Sequence, residues 1–77
     1  GKIELEFRNK YYDEVIEIME DMKPVIGRLK DESWYLTSFD VVNQGYSLFY
    51  VFSKEEKKID NYNLSEEEIK KIMEAKV

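Results

Sequence analysis

Hydrophobic and polar positions alternate strictly at the start of the chain. Ile3, Leu5 and Phe7 fall on one side, with Lys2, Glu4, Glu6 and Arg8 on the other. A period of two is that of a strand with one buried face, so these residues predict strand β1. The period then lengthens. From Tyr12 the apolar residues are Tyr12, Val15, Ile16, Met19 and Met22, with Ile18 at the edge of their arc. At about 100° per residue this is one face of a helix, α1. Asn9 is placed to cap it. Pro24 disfavours helical geometry at Lys23, which predicts an end or a kink there. A short second turn starting at Pro24 would have Val25, Ile26 and Leu29 on its apolar side, weakened by Gly27.

Residues 33–53 hold the aromatic heart of the chain. Trp34, Tyr35, Leu36, Phe39, Val41 and Val42 read as one strand, and Tyr46, Leu48, Phe49, Tyr50, Val51 and Phe52 as another. Asn43-Gln44-Gly45 between them is a hairpin connection, with Gly45 suited to positive φ. The apolar phase slips between Leu36 and Phe39, which predicts a bulge. Both faces of the second strand are apolar, so it is either central in its sheet or meets a partner with its second face. A short edge strand is expected over Lys58 to Tyr62. The last helix, α2, opens with a capping box, Ser65 as N-cap and Glu68 three residues on. Leu64 and Ile69 form its hydrophobic staple. Glu66, Glu67 and Glu68 meet the positive end of its dipole, and Lys70, Lys71 and Lys76 lie toward the negative end.

The fold expected is therefore α+β: a small, mostly antiparallel sheet of three to four strands with two helices, in the order β-α-β-β-(β)-α. Residues 1–77 form one small domain in this reading. The expected core is Ile3, Leu5, Phe7, Val15, Ile16, Met19, Leu36, Leu48, Tyr50, Ile69 and Ile72. A core that small is marginal, and it has no disulfide or Cys/His zinc site to help it, because the 77 residues include no Cys and no His.

Composition narrows the function. The formal net charge is −5, from 12 basic and 17 acidic residues. That disfavours direct binding to nucleic acid or an anionic membrane and points to basic proteins as partners. No run approaches the roughly 18 apolar residues of a membrane span, and the alternating start is unlike a signal peptide. With no cysteine, a reducing compartment is the expectation, so the chain is expected in the cytoplasm. The three glycines are isolated, which excludes a phosphate-binding loop. Serine, lysine, tyrosine and carboxylates fall in no recognisable catalytic constellation. The expectation is a protein that is not an enzyme, with no cofactor and no metal.

Two features remain. Asp13, Glu14, Glu17, Glu20 and Asp21 share the arc of α1 opposite its apolar one. Asp13/Glu17 and Glu17/Asp21 are like-charge pairs four apart, each costing about 0.2–0.5 kcal/mol. A solvated helix face is the simpler explanation; a docking ridge for a basic partner is the functional one. Its carboxylates span about 12 Å, comparable to a couple of phosphate steps along DNA. The second feature is aromatic excess between Trp34 and Phe52, more than one sheet face is expected to absorb. Trp34, Tyr35 and Tyr46 are the candidate contacts there, since Trp and Tyr are enriched in interface hot spots. In size and charge the chain resembles small acidic α/β proteins that act as inhibitors, immunity proteins or phage-encoded host-directed factors, and its Lys/Glu/Ile/Asn/Tyr bias suits an AT-rich bacterial or phage genome; no alignable residues carry that resemblance. The leading expectation is an acidic inhibitor-type protein that occupies a basic site on a protein, such as one that normally holds nucleic acid. The alternative is a small homodimeric structural or accessory domain joined through the aromatic hairpin.

Overall fold

The computed structural model describes residues 1–56, 59 and 62–74. The elements run β1 (Lys2–Arg8), α1 (Tyr12–Asp31), β2 (Tyr35–Val42), a 3-10 turn (Asn43–Gly45), β3 (Ser47–Ser53) and α2 (Glu66–Glu74). This is the expected α+β architecture. The three strands are ordered β1-β3-β2, and β3 is antiparallel to both neighbours. β1 and β2 thus run parallel with β3 inserted between them, and α1 makes the crossover. β3 is thus the central strand, with Leu48, Tyr50 and Phe52 buried on its inner face and Phe49 exposed on its outer one.

Register follows the alternation. Ile3, Leu5 and Phe7 stand opposite Phe52, Tyr50 and Leu48. On the other side Leu36, Phe39 and Val41 face the same three residues. The expected bulge is a register slip between Leu36 and Ser38, where the Thr37 hydroxyl donates to the Val51 carbonyl at 3.1 Å. Leu48, Tyr50 and Phe52 are each 0% exposed. Val15, Met19 and Met22 of α1, Leu36 of β2 and Ile72 of α2 complete the buried core.

Three local expectations need correcting. α1 does not stop at Pro24 but runs on to Asp31. Ile26 and Leu29 continue its stripe against the core, and that burial outweighs the one hydrogen bond proline removes. Pro24 and Glu20 are both exposed, so the carbonyl that loses its partner is on the wet side. The helix ends instead at Ser33, in left-handed geometry at φ 66°. There the Ser33 amide donates to the Lys30 carbonyl and the Trp34 amide to the Leu29 carbonyl, a Schellman ending. Second, lengthening the stripe rotates its centre away from Ile16, which is 38% exposed and outside the core. Met22 and Phe52 belong to the core in its place. Ile69 is half-buried, as are Ile3, Leu5 and Phe7.

Third, Asn9 does not cap α1, whose N-cap is Tyr11 with no side-chain bond. Asn9 is buried against the hairpin, donating its Nδ2 to the Gly45 carbonyl at 2.5 Å and its amide to the Tyr46 carbonyl at 2.9 Å. The pairing of Arg8 with Ser47 carries it there, two residues ahead of the Tyr11 N-cap. The expected edge strand over Lys58 to Tyr62 falls, apart from Ile59 and Tyr62, outside the described residues, as does Lys76. The capping box of α2 is present: the Glu68 amide donates to Ser65 Oγ at 3.1 Å. The Glu68 carboxylate accepts the Ser65 hydroxyl at 3.2 Å, not the Ser65 amide.

Two stability outcomes follow. Leu48→Ala should cost roughly 2–5 kcal/mol in urea unfolding, whereas Ile16→Ala should cost under about 1.5 kcal/mol; equal losses would mean the facing of α1 is wrong. Gly45 sits at φ 94°, and a Cβ there would run into the Ile72 side chain. Gly45→Ala should therefore destabilise by more than about 1 kcal/mol in urea unfolding, and unchanged stability would mean that the close approach of this turn to α2 is wrong.

Candidate functional site

The carboxylates of α1 are not equivalent once their surroundings are known. Glu14 reaches back to the start of its helix, where its Oε2 accepts the Lys10 amide at 2.7 Å. Glu20 takes the Lys23 ammonium at 2.9 Å, an exposed pair that is weak in water. Asp13 and Glu14 lie in the first turn, where the helix dipole favours negative charge. Asp13, Glu17 and Asp21 are exposed and have no cation within 4 Å among the described residues. They are spaced four apart, about 6 Å of rise per step, in one line along the outer face. Glu17 and Asp21 stand beyond the first turn, so nothing in the local chain favours a like-charge neighbour there.

The aromatic candidates do not form one patch. Trp34 is the residue that closes the Schellman ending, half-buried against the core, and its ring carries the Lys54 ammonium 4.5 Å from the centroid. Lys54 also donates to the Glu32 carbonyl at 2.9 Å. Tyr35 is half-buried beside a cleft of about 360 Å³ bordered by Lys23, Ile26, Lys30, Leu36 and Tyr62. Tyr46 lies at the hairpin tip, 42% exposed. The eight residues of β2, about 25 Å of extended chain, and the 3-10 turn that follows separate Trp34 from Tyr46. The expected sites therefore fall in three places: the outer face of α1, the start of β2 and the tip of the hairpin.

Most of the aromatic excess goes into the core. Phe7 meets Tyr50 edge-on at 5.7 Å, Phe39 lies 5.0 Å from Tyr50, and Tyr62 lies 4.7 Å from Phe39. The sheet absorbs these rings because Tyr62 comes over it from the chain ahead of α2, giving the helix-side face a second cover. Sequence reading missed Tyr62, which lies among polar residues with no periodicity around it. It placed Phe49 in this strand but not among the candidate contacts, although Phe49 is 36% exposed on the outer face of β3, because the residues flanking it come from other strands.

Tyr50 and Tyr62 join hydroxyl to hydroxyl at 2.5 Å, and the Tyr62 hydroxyl donates to the Met19 carbonyl at 3.1 Å. With that proton committed, Tyr50 donates to Tyr62. The chain ties sheet, helix and the approach to α2 together. Burial pushes both phenols above their ordinary range. For Tyr50 the bond to Tyr62 partly offsets this; for Tyr62 the bond to Tyr50, the charge on Tyr50 and Glu20 all add to it. Among the described residues no three His, Cys, Asp or Glu gather to hold a metal ion. No helix among them is long and apolar enough to cross a membrane. Comparison with protein-family models, curated proteins and solved structures finds no match to this chain.

The hydroxyl chain makes an asymmetric prediction. Tyr62→Phe leaves a buried hydroxyl on Tyr50 without a partner and should cost about 1–3 kcal/mol, while Tyr50→Phe, which leaves Tyr62 bonded to Met19, should cost less. The double variant should lose less than the sum. Raised phenol values also set the pH dependence. The fold holds protons that the unfolded chain releases, so stability is full below about pH 10 and falls as pH climbs through and beyond it. Urea titrations between neutral pH and pH 11 check both points; equal costs for the two single variants would refute the donor order.

Proposed function

We propose that this chain is a non-enzymatic binding protein that sets the acidic outer face of α1 into a basic site on a protein partner, of the kind that otherwise holds nucleic acid. The supporting observation is the line Asp13, Glu17 and Asp21, exposed and with no cation within 4 Å among the described residues, while Glu14 and Glu20 beside it are engaged locally. A solvated helix gains nothing from that arrangement, whereas a basic surface would be attracted to it and steered toward it. Glu14 and Glu20 sit at the margins of the ridge. Trp34, Tyr35 and Tyr46 are too dispersed to join it as one surface, and Tyr46 at the exposed hairpin tip is the one placed to add a separate contact. A second reading, self-association through the hairpin, draws on the exposure of Tyr46 and Phe49.

Salt separates the two, since an electrostatic complex weakens steeply with ionic strength and an apolar dimer does not. Affinity capture from bacterial lysate at low and high salt, with wild type and the Glu17→Lys/Asp21→Lys variant, tests the proposal. The variant should melt within a degree or two of wild type, because both sites are exposed and the like-charge pairs are relieved. Its complex with a basic protein should be at least about tenfold weaker at low salt. Equal capture by the two forms would reduce the ridge to a wet surface.

A further inference from the structure

The outer face of the sheet has a composition that no single strand reveals. The register sets Glu6 of β1 and Asp40 of β2 directly opposite Phe49 of β3, one on each side. One step along, Glu4 and Ser38 flank Val51 in the same way. Neighbours across an antiparallel pair stand about 4.5–5.5 Å apart at Cβ, so the Phe49 ring lies between two carboxylates with a third close by. Glu4, Glu6, Asp40 and Phe49 are all exposed. Lys2 and Arg8 stand at the two ends of β1 and leave the centre of the face negative. Asp40 is held in place by the Ser38 hydroxyl at 3.0 Å. Glu6 already accepts a guanidinium, that of Arg8, at 3.4 Å, through an arginine whose own side chain is 83% exposed.

We propose that this face binds an arginine side chain carried on an extended basic segment of a protein partner, its guanidinium stacked on Phe49 with Glu6 and Asp40 on its flanks. The inference rests on the reading that the partner is basic, but it uses the side of the molecule away from α1. Arginine fits better than lysine: its planar group stacks on a ring and forks onto carboxylates at once. A second copy fits poorly, because two such faces packed together would set three carboxylates against three. A phosphate backbone is repelled by the same groups.

The test uses the whole chain, labelled with nitrogen-15, and two blocked pentapeptides, Arg-Gly-Arg-Gly-Arg and Lys-Gly-Lys-Gly-Lys, at low salt. The arginine peptide should produce saturable shifts at the amides of Glu6, Asp40, Phe49 and Val51, and should bind about threefold or more tightly than the lysine peptide. Glu6→Gln with Asp40→Asn should weaken it by about fivefold to tenfold. Phe49→Leu, which keeps an apolar side chain in the strand, should abolish the preference for arginine. Shifts confined to Asp13, Glu17 and Asp21 would overturn this inference while supporting the ridge on α1. Shifts nowhere would overturn it and leave the ridge to the capture experiment. A dimer in sedimentation that Phe49→Leu dissociates would overturn it in favour of a second copy.

Discussion

Burial of the inner face of β3 is the interaction on which the rest of the structure depends. Leu48, Tyr50 and Phe52 are wholly removed from solvent, and every other element contributes to that removal. β1 and β2 supply flanking rows in register, α1 lays Val15, Met19 and Met22 over them, and Tyr62 adds a ring from the chain ahead of α2. The arrangement has little redundancy, as expected when a short chain has no covalent staple. The one polar group in the trio, the Tyr50 hydroxyl, is satisfied by Tyr62, which passes the bond on to a helix carbonyl. That hydroxyl chain turns a potential cost of burial into a cross-tie between layers.

The strands were legible in the sequence because alternation is a local signal and the sheet obeys it. β1, the Gly45 turn, the slip before Phe39 and the capping box at Ser65 could all be read from neighbouring residues. What could not be read depended on distant ones. The end of α1 was misplaced because Pro24 is a visible breaker, while the true stop at Ser33 has no glycine to announce it. Ile16 was misplaced with it, since two further helical turns shift the buried stripe. Asn9 looked like a cap from sequence, but its partner is a turn that arrives from the far end of β2. The same limit applies to the candidate sites. The α1 ridge was visible as a run of carboxylates at helical spacing. The acid-flanked Phe49 was not, because its three components lie on three strands.

Charge is divided between two surfaces on opposite sides of the sheet layer. The ridge of α1 is a line of exposed carboxylates on a convex helix, suited to long-range attraction of a basic surface. The outer sheet face is flatter and pairs carboxylates with an aromatic ring, suited to holding one planar cation at short range. The first would govern how fast a partner arrives and the second how selectively it is retained. Both depend on β3: its inner residues seat the helix that presents the ridge, and its outer residues are the floor of the second face.

That two-sided role of β3 is the central claim, and solvent accessibility along the strand tests it most directly. A neutral soluble paramagnetic agent relaxes side chains according to their exposure. Strong relaxation at Phe49 and clear relaxation at Val51, with Leu48, Tyr50 and Phe52 protected between them, is the result predicted. Protection of Phe49 equal to that of Tyr50 would contradict it, because the outer face would then be covered and not open to a partner.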